Sequence, residues 1–308
     1  MFKELTFAKF TFILKVETHI SLPGYKGGTF RGGLGYSLKR VVCIHKKQSC
    51  DGCMLRKQCV YGYIFDTIQP DNSEILKNRY EIPRPFIIET IYEEKTHYNP
   101  EEEISFDLIL VGKAIELLPY FIISFDDLGK VGLGINKGKF SIVKIESEGQ
   151  VIYDPESQSL IGSPRIMQIS DLVSPVNINT HQIDINFLTP VRMKYQGKLI
   201  DNPEFHILIR NILRRAFCLS YFHCGGSMDP DTVDMSSAEK VTIEHNNSRW
   251  YDWQRYSTRQ NTDMKLGGII GQVTYTGEFE QFIPLLLLGE YIHVGKGTSF
   301  GLGKYIIS

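Results

Sequence analysis

The sequence predicts an α+β protein made of two tandem domains, each with a β-α-β-β-α-β order of elements. The main evidence is a pattern that occurs twice: an alternating strand, a helix-length apolar run, a glycine-rich loop and another strand. The first copy has a strand at Ile104 to Val111, a helix at Ala114 to Leu128 and a strand at Phe140 to Ile145. The second copy has a strand at Leu266 to Tyr275 and a helical run at Phe279 to Leu288. This repetition indicates a duplicated module.

The first domain is expected to span residues 1–150. Phe2 to Thr18 alternates like a strand, and Phe30 to Val42 places its apolar residues on one helical face. Three glycines weaken that helix, so either its first turn is irregular or its backbone closely approaches a neighbour. Tyr80 to Tyr92 contains two prolines and can form only an edge or interrupted strand. With the elements above, this order is typical of a ferredoxin-like unit, which has a four-stranded sheet with one helical face.

The second domain is expected to span residues 180–308, after a linker region at residues 151–179 that is rich in proline and serine. Its strands begin with His181 to Leu188, which alternates, and include Lys240 to His245. Phe205 to Phe222 is its first helix, with apolar residues facing inward. The chain closes with a strand at residues 305–307.

Composition places the chain among soluble globular proteins. It has 308 residues, of which 42% are hydrophobic and 22% charged, enough for two domains of ordinary size. The N-terminus reads as an alternating strand interrupted by lysines, and no window of eighteen uninterrupted apolar residues occurs, so we expect no membrane span and a cytoplasmic location. The net charge of −1 gives no global sign of nucleic-acid binding.

Positive charge is nevertheless concentrated near the first helix. The stretch from Arg31 to Lys57 carries seven basic residues against the single acid Asp51. Such a patch favours a polyanionic partner, with a solvated surface as the alternative. The basic residues are Arg31, Lys39, Arg40, Lys46, Lys47, Arg56 and Lys57.

Four cysteines lie in the same stretch: Cys43, Cys50, Cys53 and Cys59. Two residues separate the middle pair, and this short knuckle with two flanking thiols has the spacing of a metal site. Zinc is the first choice and an iron–sulfur cluster the alternative, since both use four thiolates. A redox dithiol or two disulfides would be unusual in a reducing compartment. A structural role is expected, because four cysteine ligands leave no open coordination position.

The stretch GKGTSFGLGKY near the C-terminus concentrates glycine between a helical run and a strand. Gly295, Gly297, Gly301 and Gly303 permit positive φ and would leave N–H groups for an anion such as phosphate, with Lys296 and Lys304 on either side. A dinucleotide-binding fingerprint is excluded because the loop follows a helix and precedes a strand, and no P-loop sequence occurs. The alternative is a connection that only turns a helix back into the sheet.

A further segment, Ser248 to Gln260, interleaves arginines with aromatic residues. Arginines neutralise phosphates and aromatic faces stack bases, which suits single-stranded or looped RNA. The alternative is a strand pair with packed aromatics and solvated arginines. The arginines are Arg249, Arg255 and Arg259, and the aromatics are Trp250, Tyr251, Trp253 and Tyr256.

The terminal GKGTSFGLGKY, the Cys-rich segment after FRGGLGYSLKRVVC and the two tandem units together resemble the RAMP superfamily. More narrowly, the chain is similar to the CRISPR-associated endoribonucleases that cut precursor CRISPR RNA within each repeat, the Cas six family. The resemblance implies tandem RRM-like domains, CRISPR repeat RNA as the partner, and subunits of a CRISPR effector complex as further partners. A non-catalytic RAMP subunit that binds crRNA is the alternative, and an electron-carrying metal-cluster protein is a more distant one.

RNA cleavage of this kind needs no metal ion, because the substrate's own 2′-hydroxyl attacks the adjacent phosphate. The products are a 2′,3′-cyclic phosphate and a 5′-hydroxyl. The resemblance implies His45 as acid or base, Tyr36 beside it, and Lys46 as the phosphate clamp. His45 lies inside the cysteine segment, so it could instead support or ligate a metal, and Tyr36 could be a buried helix residue.

Overall fold

The computed structural model of the chain describes residues 2–45, 49–67, 82–90, 94–173, 179–226, 233–257 and 262–308. The chain divides into two compact units. The first contains Phe7–Ile166 and Phe222–Cys224, and the second contains Met167–Tyr221, Gly225–Ser308 and the residues before Phe7. The predicted linker region, residues 151–179, is thus shared between the two units.

The first unit is built on an antiparallel sheet of six strands in the order β3-β5-β1-β6-β7-β8. Strand β1 lies in the middle, and its neighbour β5 pairs with it from Phe7↔Val111 to Lys15↔Glu103. Alternate residues of β1 are buried, as the sequence pattern predicts. The elements are β1 Phe7–Val16, β2 Ile20–Ser21, α1 Gly27–Val42, β3 Phe86–Glu89, β4 His97–Tyr98, β5 Glu103–Val111, α2 Leu118–Val131, β6 Phe140–Ser147, β7 Gln150–Asp154 and β8 Ser159–Leu160.

Helices α1 and α2 pack together, and a glycine makes their close approach possible. A side chain at Gly33 would begin 2.7 Å from a methyl carbon of Leu128 on α2. Helix α1 is continuous over its whole length, so Gly33 and Gly35 reflect close packing rather than an irregular first turn, whereas Gly32 faces open space. The core of the unit is aromatic: Phe12 stacks on Phe106 with ring centroids 5.1 Å apart, and Phe106 also contacts Phe125 at 4.8 Å.

The second unit repeats the same plan with a smaller sheet, in the order β12-β16-β9-β17 and with β13 also paired to β16. Its core gathers around Phe205, whose ring lies 5.2 Å from that of Phe279. The elements are α3 Ile169–Val173, β9 Gln182–Val191, β10 Lys194–Tyr195, β11 Lys198–Leu199, α4 Phe205–Cys224, α5 Met235–Lys240, β12 Thr242–Asn246, β13 Arg249–Tyr251, β14 Gln254–Ser257, β15 Thr262–Lys265, β16 Gly268–Thr276, α6 Ile283–Ile292 and β17 Tyr305–Ile307.

The two sheets correspond strand for strand. The order β3-β5-β1-β6 in the first unit is the order β12-β16-β9-β17 in the second, with a helix after the first and third strand along the chain in each. This is the β-α-β-β-α-β order predicted from the sequence. The predicted helix at Ala114 begins as a 3₁₀ turn, Gly112–Leu117, and only continues as α2 where Pro119 occupies the first helical turn. Within the described residues, none of the helices is long and apolar enough to cross a bilayer.

Candidate nucleic-acid interface

The glycine-rich loop of the second unit connects α6 to β17 and is hydrogen-bonded to the end of β9. The N–H of Lys296 donates to the carbonyl oxygen of Arg192 at 3.0 Å, and the N–H of Gly303 donates to that of Pro190 at 3.2 Å. Across the loop, the N–H of Val294 donates to the carbonyl of Gly303 at 2.9 Å. The loop therefore has one fixed shape set by the strand beside it.

Thr189 on β9 holds the same loop through its side chain. Its hydroxyl donates to the carbonyl of Gly301 at 2.9 Å and accepts the N–H of Lys304 at 2.9 Å. The side chain is buried, so both bonds are shielded from water. Sequence inspection gave no signal for this residue, because its partners are more than a hundred positions away.

All four predicted glycines adopt positive φ, between 79° and 82°. Gly303 is the most restricted of them, since a side chain there would begin 2.0 Å from the carbonyl oxygen of Val294. Only glycine combines this backbone conformation with so close an approach. The prediction that these glycines permit positive φ is therefore confirmed.

Some backbone N–H groups of the loop face away from the protein's own acceptors. Those of Gly295, Gly297 and Thr298 donate to no acceptor in the part of the chain that the structure describes. Those of Phe300 and Gly301 close a short 3₁₀ turn instead. The sequence predicted a row of exposed donors; in the structure Gly295 and Gly297 are half-buried and Thr298 is buried. Successive N–H groups of this kind suit an oxyanion.

The two lysines that flank the loop differ. Lys296 is exposed. The ammonium group of Lys304 donates to the carbonyl of Glu290 near the end of α6 at 3.0 Å. A cation at this end of a helix satisfies a terminal carbonyl and the helix dipole. RNA binding by Lys304 remains a prediction, beside this observed role in the fold.

Arg215 on α4 supports the loop from the interior. Its Nε donates to the carbonyl of Ile292, the last residue of α6, at 2.6 Å. Burial lowers the pKa of the guanidinium to about 9, which leaves it charged at neutral pH. Among the described residues, its Nη2 atom has no hydrogen-bond partner. A buried cation therefore marks the point where the helix gives way to the glycine loop.

Arg192 is a second cation that sequence inspection missed. It follows β9 directly and forms a parallel bridge with Gly295. Its side chain lies against Gly268, where an added Cβ would be 3.0 Å from the Arg192 Cγ atom. Partial burial lowers the pKa of its guanidinium. Arg192 thus brings positive charge to the base of the glycine loop.

The arginine–tryptophan segment forms part of the same sheet. Strand β13 pairs its Arg249 with Ile270 and its Trp250 with Ile269. Arg249 is exposed, and Trp250 is 39% exposed with its indole N–H donating to Asp252 Oδ1 at 2.8 Å. The segment therefore does form a paired strand, as the alternative interpretation expected. The side chains of Arg249 and Trp250 nevertheless remain at the surface.

The remaining arginines of this segment are less defined. Arg255 lies in β14, where the structure describes the strand but not the side chains, and Arg259 lies outside the described residues. Their RNA-binding role stays a prediction.

Strand register brings the loop and the arginine–tryptophan strand to one end of the sheet. Ile269, opposite Trp250, pairs on its other side with Val191, the last residue of β9. The next residue, Arg192, bridges to Gly295. Backbone N–H groups of the glycine loop, two arginines and an exposed indole therefore occupy one end of this sheet. We define this set, Arg192, Arg249, Trp250 and Gly295 to Gly303, as the loop edge.

In the first unit, the candidate Tyr36 projects from α1 into solvent, with 60% of its surface exposed. The alternative of a buried helix residue is therefore wrong. It lies one helical turn before Arg40 on the same helix. An exposed phenol beside a guanidinium is available to a ligand.

The three basic residues predicted on α1 all have partners. Arg40 forms a two-point ion pair with Asp127 of α2, at 2.5 and 3.1 Å, which lowers the pKa of that carboxyl. Arg31 lies over the ring of Phe65 and Lys39 over that of Tyr61, 5.3 and 5.8 Å from the centroids. RNA contact by these residues stays a prediction, and Arg40 would have to share its charge with Asp127.

His45, the predicted acid or base, is exposed just beyond α1, and Lys46 lies outside the described residues. His45 lines a cavity that is also lined by Cys43, Cys50, Cys53 and Cys59. The four cysteines thus line one cavity. All six cysteines of the chain are free thiols, which removes the disulfide alternative.

The predicted metal site is not confirmed. In the described part of the chain, no three His, Cys, Asp or Glu side chains are arranged closely enough to hold a metal ion. The four-cysteine metal insertion therefore stays a prediction.

Two parts of the sequence match models of known protein families. Residues 5–165 match the AF_1859_N model, described as an N-terminal domain. Residues 185–305 match the model of the CRISPR-associated endoribonuclease Cas6. The C-terminal part of the chain, residues 185–305, therefore belongs to the Cas6 family. The loop edge falls entirely within the Cas6 match. An uncharacterized protein of Archaeoglobus fulgidus is 27% identical over 294 residues, 93% of this chain and 92% of the relative.

Solved Cas6 structures share the fold. Thermus thermophilus Cas6, in a product complex, superimposes with a TM-score of 0.57 at 12% identity, covering 98% of this chain and 99% of that one. A partial Cas6-RT-Cas1–Cas2 complex matches with a TM-score of 0.60 at 13% identity, over 99% of this chain and 46% of that chain. At such low identity, the likeness establishes that this Cas6-family chain has a Cas6-like fold.

Two substitutions at the loop edge separate phosphate contact from base stacking in this Cas6-family chain. Arg249→Gln is expected to reduce the salt dependence of RNA binding by about one phosphate contact, because it removes one exposed cation. Trp250→Ala is expected to weaken binding by ~1–3 kcal/mol without changing that salt dependence, because it removes a stacking face. Titrations of single-stranded RNA at several salt concentrations measure both. Arg210→Gln, on an exposed position of α4, is the matched control. Unchanged affinity in both variants would exclude the loop edge as an RNA surface.

Proposed function

We propose that this chain binds CRISPR repeat RNA and cleaves precursor crRNA in the cytoplasm as a metal-independent endoribonuclease. Its two units are tandem ferredoxin-like modules with different roles. The second unit binds the ribose-phosphate chain through the loop edge, and the first supplies acid–base groups near the end of α1. The observation that carries the proposal is the loop edge: unpaired backbone donors, arginines and an exposed indole assembled on one sheet end of a Cas6-family chain.

The chemistry follows from the substrate. The 2′-hydroxyl must lose its proton, lie in line with the adjacent phosphorus, and the departing 5′-oxygen must gain a proton. His45 is the proposed acid or base, since it is an exposed imidazole in the position that the family resemblance implies. Tyr36 is an exposed phenol on α1, and Lys46 is the proposed cation beside the phosphorane. The products carry a 2′,3′-cyclic phosphate and a 5′-hydroxyl.

A second candidate is a RAMP subunit that holds crRNA in a CRISPR effector complex without cutting it. One observation favours it: within the described residues, the side chains of His45 and Tyr36 make no hydrogen bond, whereas the loop edge is already fixed in place. A binding surface can therefore exist without an assembled catalytic group.

Incubation of the purified chain with end-labelled CRISPR repeat RNA in EDTA distinguishes the two. The proposal predicts one discrete cut, and a 5′ fragment that accepts a new end only after its cyclic phosphate is removed. DNA of the same sequence must stay intact, because it lacks the nucleophile. A mobility shift without cleavage would support the binding subunit and contradict the enzyme.

A further inference from the structure

The cysteine segment contains turns that already direct four thiols toward one cavity. Cys43 follows the last turn of α1, and its N–H donates to the carbonyl oxygen of Lys39 at 3.0 Å. Cys50 begins a 3₁₀ turn that closes when the N–H of Cys53 donates back to its carbonyl at 3.2 Å. Cys59 follows a second 3₁₀ turn, and its carbonyl accepts the N–H of Tyr63 at 2.9 Å. Each cysteine is thus positioned by a local backbone bond.

The cavity wall also contains two cationic side chains and a buried donor without an acceptor. Lys39, Arg56 and the carboxylate of Asp66 line it together with the cysteines. The Nη1 atom of Arg56 pairs with Asp51 at 3.1 Å, but its Nε is buried and, among the described residues, has no hydrogen-bond partner. A buried donor without an acceptor costs roughly 1–3 kcal/mol, so an acceptor in the cavity would be stabilising.

A tetrathiolate centre supplies such an acceptor. Four cysteine thiolates around one divalent cation carry a net double negative charge, and their sulfurs accept N–H groups. Apolar filling of the cavity would leave the Arg56 Nε unsatisfied. The cavity therefore has the ligands for a metal and the cations that would balance its thiolates.

We propose that Cys43, Cys50, Cys53 and Cys59 bind one zinc ion, and that binding draws their sulfurs together and fixes the segment beyond α1. The two-residue knuckle between Cys50 and Cys53 favours zinc. Because no three of the potential ligands in the described residues lie within ligand reach of one metal ion, closure must accompany binding, as in other sites where metal binding is coupled to folding. The closed Cys₄ set gives the ion a structural role.

This proposal does not depend on RNA cleavage, so its test uses no RNA. The purified, reduced chain is expected to contain one zinc per molecule by elemental analysis. Cobalt(II) added to chelator-treated protein is expected to give the visible absorption of tetrahedral cobalt thiolate. Cys50→Ser and Cys53→Ser should lose the bound zinc, whereas Cys218→Ala, a buried thiol on α4 in the second unit, should keep it.

Thiol labelling of the wild-type chain keeps the test valid if the serine variants fail to fold. Zinc should protect four of the six thiols from a thiol-reactive dye, and a strong chelator should expose them. Amide hydrogen exchange in residues 43–66 should slow when zinc is restored. No zinc and no cobalt–thiolate absorption in the wild-type chain would overturn the proposal, and so would a brown iron–sulfur absorption with acid-labile sulfide.

Discussion

Replacing His45 with alanine is expected to slow cleavage of CRISPR repeat RNA by ~10²-fold or more, which is the usual contribution of a general acid or base. RNA affinity should change little, because the proposed phosphate and base contacts of the loop edge lie in the second unit. Single-turnover cleavage with enzyme in excess measures the chemical step separately from binding.

The matched control is His181→Ala, an exposed histidine in the second unit whose imidazole lies 3.3 Å from Glu278. It should cleave like the wild type. Because His45 lines the cysteine cavity, the zinc content of His45→Ala must also be measured. A wild-type cleavage rate in His45→Ala would remove this residue from the mechanism. A slow rate that accompanies lost zinc would assign it to the metal site instead.

Gly303→Ala is expected to have the largest effect on the loop edge. The new Cβ would require φ near 82° and would stand 2.0 Å from the carbonyl oxygen of Val294, so the loop must move away from β9. The left-handed conformation costs ~1–2 kcal/mol for a non-glycine residue, and the backbone clash adds to it. We expect the free energy of unfolding to fall by about 3 kcal/mol or more, and RNA affinity to fall at least about tenfold, since the loop's donors lose their arrangement.

The control Gly149→Ala measures the cost of the left-handed backbone conformation without the backbone clash. Gly149 has φ +80° in the turn between β6 and β7, and a side chain there would meet no atom within 4 Å. The free energy of unfolding of this variant should fall only by the cost of the left-handed conformation, and its RNA affinity should stay unchanged. Denaturant unfolding and RNA titration of both variants make the comparison. Equal losses of stability and RNA affinity in the two variants would show that the close approach of Gly303 to Val294 does not matter for the loop.

The order of elements could be predicted because it depends on local periodicity. Apolar residues at helical or alternating spacing identify the strands and helices of both units, and Pro119 and the glycines mark where they begin and end. The helix predicted from Phe279 starts only at Ile283, because element boundaries depend on the turn that precedes them.

The contacts that shape the loop edge could not be predicted, since they join distant segments. Thr189, Arg192 and Arg215 have ordinary sequence surroundings, and only the fold brings them to the glycine loop. Both duplicated loops also lie close to backbone that the sequence does not reveal. In the first unit, an added Cβ at Gly134 or Gly138 would stand 2.2 Å from the carbonyl oxygen of Ser21 or His19, as one at Gly303 would stand 2.0 Å from that of Val294. Close backbone approach is therefore a shared reason for glycine in the two loops.

The proposed nucleophile is the most direct test of the whole account. A CRISPR repeat RNA carrying a single 2′-deoxynucleotide immediately before the cut should bind with the affinity of the unmodified RNA and remain uncut in EDTA, while the unmodified RNA is cleaved at that one position. Cleavage of the deoxy-substituted RNA at the same bond would contradict the account, because the attacking oxygen would then have to come from elsewhere.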